Sequence, residues 1–230
     1  MKSKLLRGMW KGTPEVTGAA YIVLSSIYND GMDPAGASLR AARTRLGLIQ
    51  AQAAQLLATS QANVSAYESG RLRPGRIVAD RIDAFAALAP DSVYAAYSAS
   101  TVPSTAAAIR TDLSQERSES DMLRIVIQTS DDFARLTAQA DREFFLTEPS
   151  PTGSRRWDAL IAGLAVHLCR VAGMDRTPMW TTDPSRALDD IWWFGRSHDV
   201  LAMRSRTLRE AIPSMRARGV MLGRANLESV

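Results

Sequence analysis

Residues 48–70 read Leu48-Ile49-Gln50-Ala51-Gln52-Ala53-Ala54-Gln55-Leu56-Leu57-Ala58-Thr59-Ser60-Gln61-Ala62-Asn63-Val64-Ser65-Ala66-Tyr67-Glu68-Ser69-Gly70. The stretch predicts two short helices joined by a tight turn. The first runs from about residue 50 to 57. Ser60 then offers a side-chain oxygen to cap a second helix. That helix runs over about residues 61–69, and Gly70 ends it, as glycine does just past a helix C-terminus. Val64 and Tyr67, three apart, share an inward face, while Gln61, Asn63 and Ser65 put polar groups in the first turns.

Before this stretch stands Leu39-Arg40-Ala41-Ala42-Arg43-Thr44-Arg45-Leu46-Gly47, and after it Arg71-Leu72-Arg73-Pro74. Together these residues resemble the Cro/C1-type (XRE family) helix-turn-helix domain over about residues 37–90. In such a domain the second helix of the pair lies in the DNA major groove. The resemblance implies that Gln50 holds a phosphate and that Gln61, Ala62, Asn63 and Ala66 face bases or phosphates; Ser65, polar and in the same turns, is expected to join the DNA-binding set. It also implies a structural ion pair between Arg43 and Glu68, fixing one helix against another. Ile49 stands where the family has a Thr or Ser cap. Ala58 stands where the turn has Gly, and a non-glycine in the left-handed region costs roughly 1 kcal/mol. Ala62 and Ala66 can only touch a thymine methyl or leave room.

Charge agrees with a DNA-facing N-terminal half. The net charge of +4 is uneven: residues 1–110 hold 12 Lys/Arg against 7 Asp/Glu, and residues 111–230 hold 16 against 17. Arg71, Arg73 and Arg76 flank the turn at Pro74-Gly75, where they suit phosphate clamping that sets register without reading sequence. Apolar content of 46% supports a packed core. The single cysteine, Cys169, excludes an internal disulfide framework and suits a reducing cytoplasm.

Taken in order, residues 1–36 read as a flexible arm, or as coding sequence upstream of a start at Met32. The apolar run at residues 16–28 follows Lys2, Lys4, Arg7 and Lys11 in the manner of a signal peptide. Pro14 and Glu15 break its approach, and it is too short to span a bilayer. Residues 37–97 form the helix-turn-helix domain. It opens on a supporting helix with Leu39, Ala42 and Leu46 on one face. A further helix with Val78, Ile82 and Phe85 inward and a short helix through Tyr97 close it. Residues 98–118, rich in Ser, Thr and Ala, read as a linker with a helical tendency over 106–113. Residues 119–230 form a second, helical domain. Helices are expected over 119–128 and 131–145, the latter started by Ser130-Asp131-Asp132. Ser154 is expected to cap the clearest helix, with Trp157, Leu160, Ile161, Leu164, Leu168 and Val171 on its inward face and Gly173 at its end. An aromatic stretch, a helix over about 200–211 and a small strand at Val220-Met221-Leu222 complete the chain. The fold class is mainly α, with one short strand pair at most.

Nothing in the chain points to catalysis or a cofactor. His167 and Cys169 lie two apart on one helix and so point about 200° apart, which keeps them from sharing a metal. His198 reads as exposed. Asp131-Asp132 suits a helix start, and Asp189-Asp190 has no nucleotidyl-transfer pattern beside it. No phosphate loop, dinucleotide glycine set or nucleophile elbow occurs.

Trp180 and Trp193 read as core. Trp192 and Phe194 are equally suited to core and to a partner interface, where tryptophan is enriched. The set Arg155-Arg156-Trp157-Asp158-Ala159-Leu160, Pro178-x-Trp180, Asp183-Pro184, Leu188-Asp189, Trp193, Arg218-Gly219-Val220 and Leu227 resembles the C-terminal region of actinobacterial antitoxin-like helix-turn-helix proteins. Some of those are partnered with AbiEii-type nucleotidyltransferase toxins. The combined expectation is a cytoplasmic, non-enzymatic, DNA-binding regulator. It would act as a homodimer on double-stranded DNA and hold a cognate toxin through its C-terminal half, with no membrane contact. Two alternatives stay open. One is a partner-binding protein whose helix-turn-helix binds DNA only non-specifically. The other is a ligand-sensing repressor, which an apolar pocket lined by Trp180 and Trp193 would favour.

Overall fold

The computed structural model describes residues 33–96, 100–195 and 201–227. The expectations for the N-terminal arm and for His198 lie outside these residues. Eleven α-helices are present among the described residues, with one parallel two-stranded pair.

The first five helices are α1 (Pro34–Arg45), α2 (Gln50–Leu56), α3 (Gln61–Glu68), α4 (Arg76–Ala86) and α5 (Val93–Ala96). Local chemistry explains their limits. Asp33 caps α1 by accepting from the Ala35 N–H at 3.3 Å, and Pro34 gives up a donor that the helix start would leave unused. Ile49 has no side-chain acceptor; instead Gln52 Oε1 reaches back to accept from the Ile49 N–H at 2.9 Å. Ser60 Oγ accepts from the Asn63 N–H at 3.1 Å and starts α3. Ala58 holds the turn with φ +51°, the strained conformation that glycine would adopt freely. Leu39, Ala42, Ala53, Leu57, Val64, Tyr67, Ile82 and Phe85 close over one another as the first core.

The remaining helices are α6 (Val102–Ser114), α7 (Glu119–Ala134), α8 (Gln139–Phe145), α9 (Arg155–Val171), α10 (Leu201–Glu210) and α11 (Pro213–Arg216). α9 is the axis of the second core, with Trp157, Leu160, Ile161, Leu164 and Leu168 all buried, whereas Val171, expected on the same face, is exposed at the last residue of the helix, beyond the reach of the core. At about 1.5–3 kcal/mol per fully buried large side chain, this face supplies the largest share of that core's drive. Strand β1 (Trp192–Trp193) pairs with β2 (Val220–Met221) in parallel, Trp192 opposite Val220 and Trp193 opposite Met221.

Three expectations are corrected here. The stretch 98–118 contains α6, and Val102, Ala106 and Ile109 lie wholly inside the second core. Its alanines serve close helix packing, not looseness. α7 runs unbroken to Ala134, so Asp131 and Asp132 sit in its last turn and not at a helix start. The expected break at Thr129-Ser130 does not form. Thr129 Oγ1 donates to the Ile125 carbonyl at 2.7 Å and also lies 2.6 Å from Thr105 Oγ1. Buried Asp132 accepts from the Ser100 N–H at 2.9 Å and from Gln128 Nε2 at 2.8 Å. Ser154 takes the N-cap position of α9 without a side-chain cap. Asp158 instead turns back and accepts from the Thr152 N–H at 2.8 Å.

The two cores meet at α8. Phe144 enters the first core, 5.7 Å from Phe85 and 5.0 Å from Tyr94 between ring centroids, while Phe145 packs on Phe133 at 5.0 Å in the second. The loop after α8 has no regular structure, so its carbonyls need partners from elsewhere. Trp180 Nε1 donates to Leu146 O at 2.9 Å. Arg81 donates to Glu148 O at 2.9 Å, Arg186 to Pro149 O at 2.7 Å and Arg110 to Pro151 O at 2.6 Å. Arg81, on α4, is buried and also donates to Leu57 O and Ser150 Oγ. Burial pushes its guanidinium down to about 10, with Glu148 opposing the shift, so it stays a cation at neutral pH.

Candidate nucleic-acid interface

α3 divides its residues cleanly. Val64, Tyr67 and Glu68 are buried, and Gln61 and Ala62 are exposed, with Asn63, Ser65 and Ala66 at the margin. The outward face thus carries short polar and methyl groups on a helix whose other face is locked into the core. α1 comes close enough that only glycine fits at position 36. A Cβ there would overlap the Tyr67 carbonyl oxygen.

Glu68 is the anchor of the arrangement. Its Oε1 accepts from Arg43 Nε at 2.6 Å, and its Oε2 from Arg43 Nη2 at 3.0 Å and Gln50 Nε2 at 2.9 Å. Burial opposes ionisation of this carboxyl. The hydrogen bonds from Arg43 and Gln50 outweigh it and hold Glu68 below its ordinary value. Arg43 also donates to Leu48 O at 2.9 Å, so one guanidinium ties α1, the entry to α2 and α3 together.

The expected DNA contacts fall into two groups. Gln61, Ala62, Ser65 and Ala66 share the outer margin of α3. Gln50 and Asn63 are partly turned inward: the Gln50 amide is committed to Glu68, and Asn63 Nδ2 donates to Thr59 Oγ1 at 3.0 Å. Each amide keeps a second hydrogen for another acceptor. The three arginines differ likewise. Arg73 is 89% exposed, with Asp33 at 3.9 Å. Arg71 leans on Ser69 Oγ at 2.9 Å. Arg76 bridges Asp80 and Glu148, each at 3.0 Å, so its charge is already matched. Arg40 escaped the sequence reading. It is 60% exposed and 3.9 Å from Glu68, a further cation close to α3. Its spacing of three from Arg43 on α1 was the available signal.

Trp192 is corrected as a partner-interface residue. It is 5% exposed, with Trp157 and Phe194 at centroid distances of 5.4 Å and Arg156 over its ring, and so has no face to offer. Phe194 is half-buried against the same core. Trp180 lines an open groove of about 820 Å³ together with Arg76, Glu143 and Glu148, whereas Trp193 lies beneath Arg204. The groove is charged, unlike the apolar pocket that a shared Trp180–Trp193 lining would require. His167 is half-buried and Cys169 buried on α9. Among the described residues, no three of His, Cys, Asp and Glu come together as a metal site, and no helix is long and apolar enough to cross a membrane.

Residues 35–94 match a family model described as a helix-turn-helix domain, a span covering almost all of α1 and ending within α5. The protein therefore carries a domain of the class that places a helix in the DNA major groove, which is the mark of a DNA-binding regulator. No curated protein and no solved structure matches the chain.

Proposed function

We propose that this protein is a sequence-specific transcriptional regulator of the cytoplasm. In this reading it binds an inverted repeat as a homodimer and serves as an antitoxin that controls its own operon, without catalysing a reaction. Residues 33–96 are the DNA-facing unit, and the helical half from residue 119 onward holds the partner protein. The supporting observation is α3, capped by Ser60, seated on Val64, Tyr67 and Glu68, and open along Gln61, Ala62, Ser65 and Ala66. One such helix reads about 4–5 base pairs, and two of them one turn apart give usable specificity.

The test is binding to the upstream DNA of its own gene and to a shuffled duplex at two salt concentrations. Tight binding to the native duplex alone, surviving the higher salt, is expected. Gln61→Ala should weaken discrimination by about 1–3 kcal/mol, and Arg73→Ala should weaken both duplexes alike with a shallower salt slope. Equal, salt-labile binding to both duplexes overturns the reading.

A second reading, in which partner binding dominates, draws on α10. All ten of its residues avoid burial, and Leu201, Met203 and Leu208 are exposed beside Arg206 and Arg209. A helix this short gains little from its own hydrogen bonds in water and ordinarily depends on packing. Its exposed leucines, seven apart, suit an apolar groove on a partner. Loss of toxin co-purification in Leu201→Ser/Leu208→Ser, with DNA binding intact, is the outcome expected of that reading.

A further inference from the structure

A cavity of about 480 Å³ opens among α7, α8, α9 and the turn at Arg224–Leu227. Its floor is apolar, made of the buried side chains of Phe133, Leu168 and Leu227. Its polar groups are nearly all nitrogenous: Arg142, His167 and Arg224 line it, and among the described residues no carboxylate does. The groove beside Trp180 is different, since Asp80, Glu143, Glu148 and Asp175 line it together with Arg76 and Arg176. Arg224 makes no ion pair among the described residues. Arg142 commits only its Nε, to Leu136 O at 2.9 Å. Burial, then the charges of Arg224 and Arg170, hold His167 below its ordinary value. Ser130 Oγ, at the same cavity, is buried with no hydrogen-bond partner. Val171 stands 72% exposed on the rim.

We propose that this cavity binds a small organic anion with an aliphatic tail, a monocarboxylate of roughly six to ten carbons in view of the volume. The carboxylate lies between Arg142 and Arg224, whose planar guanidinium groups match its geometry. The tail covers Phe133, Leu168 and Leu227 and shields Val171. The site also has a route to the DNA-facing unit. α8 carries Arg142 at the cavity and Phe144 in the first core, and Phe145 packs on the cavity's own Phe133. A ligand that moves α8 changes DNA affinity, and DNA changes ligand affinity by the same factor. This goes beyond the antitoxin reading and does not depend on it.

The test is calorimetric titration of the full chain with octanoate, with acetate, inorganic phosphate and 1-octanol as comparison probes. Octanoate should bind at least ten-fold tighter than each of the others. Arg224→Gln, at an exposed position, should weaken octanoate at least ten-fold without moving 1-octanol or the melting temperature. Val171→Asp, which sets a negative charge on the rim, should weaken octanoate alone. Equal binding of octanoate and 1-octanol, equal binding of phosphate, or octanoate affinity unmoved by both variants overturns the proposal. The readout needs no DNA, so failure of the regulator reading leaves the result interpretable.

Discussion

α3 and α10 are helices of eight and ten residues, both carrying exposed polar surface, and they are held in opposite ways. α3 buries three residues and receives hydrogen bonds from Arg43 and Gln50 on two other helices through Glu68. α10 buries none; the Arg206–Glu210 pair at 2.8 Å runs within it, and Arg204 lies 5.8 Å over Trp193. A surface that reads a rigid duplex must be positioned beforehand, because ordering it at binding would cost affinity. A surface that meets another protein can be ordered by that partner. The difference teaches that the helix proposed to face DNA is held by other helices, whereas α10 buries none of its residues.

The largest test of this contrast is Arg43→Ala. It strands the buried Glu68 carboxylate, so a loss of about 3 kcal/mol in urea unfolding is expected. Glu68 ionises below its ordinary value, so its contribution is complete above about pH 4.5 and lost as pH falls through the lower folded value. Without Arg43 the carboxyl protonates at higher pH, and the midpoint of acid unfolding should move upward. A loss under about 1 kcal/mol would mean that Gln50 and Arg40 suffice.

Gly36→Ala comes next. Its Cβ meets backbone, which cannot step aside as a flexible side chain would, and about 2–3 kcal/mol of overpacking is expected with weaker DNA binding. Arg81→Met asks whether the two helices belong to one cooperative unit. It leaves Leu57 O and Glu148 O without their donor, and the expected cost is about 2 kcal/mol. Two separate calorimetric transitions in this variant, against one in the parent chain, would show that Arg81 couples the halves. The smallest effect belongs to α10. Leu201→Ser with Leu208→Ser should change stability by less than about 0.5 kcal/mol, because neither side chain is buried. A larger loss would put α10 in the same class as α3 and end the contrast.

The parts of the molecule that could be read early are those whose signals are local. α2 and α3 fall within a residue of their expected ends, since a serine cap and a positive-φ Gly70 act on the nearest turn. The Arg43–Glu68 contact followed from a resemblance, not from spacing, for 25 residues separate the pair. The aromatic stretch was not legible. Trp192 and Phe194 have similar neighbours in sequence, and Trp192 is the more deeply buried, with Val220, 28 positions away, opposite it in the strand pair and Trp157 and Arg156 against its ring. Nor was α7, which a Thr-Ser pair was expected to break, because the Thr129 hydroxyl found Thr105 on another helix.

The sequence by itself determined a mainly helical chain, a helix-turn-helix over the span that the family model also matches, and the core face of α9. Periodicity, caps and turn residues act within a few positions, and their free energies do not wait for the rest of the fold. Only the tertiary structure decided that α6 is core and not linker, that Trp192 is buried, and that Arg81 ties the two cores together. It alone gathered Arg142, His167 and Arg224 around one apolar floor. These outcomes depend on which distant carbonyls, rings and charges come within a few ångströms of each other, and no short stretch of sequence carries that information.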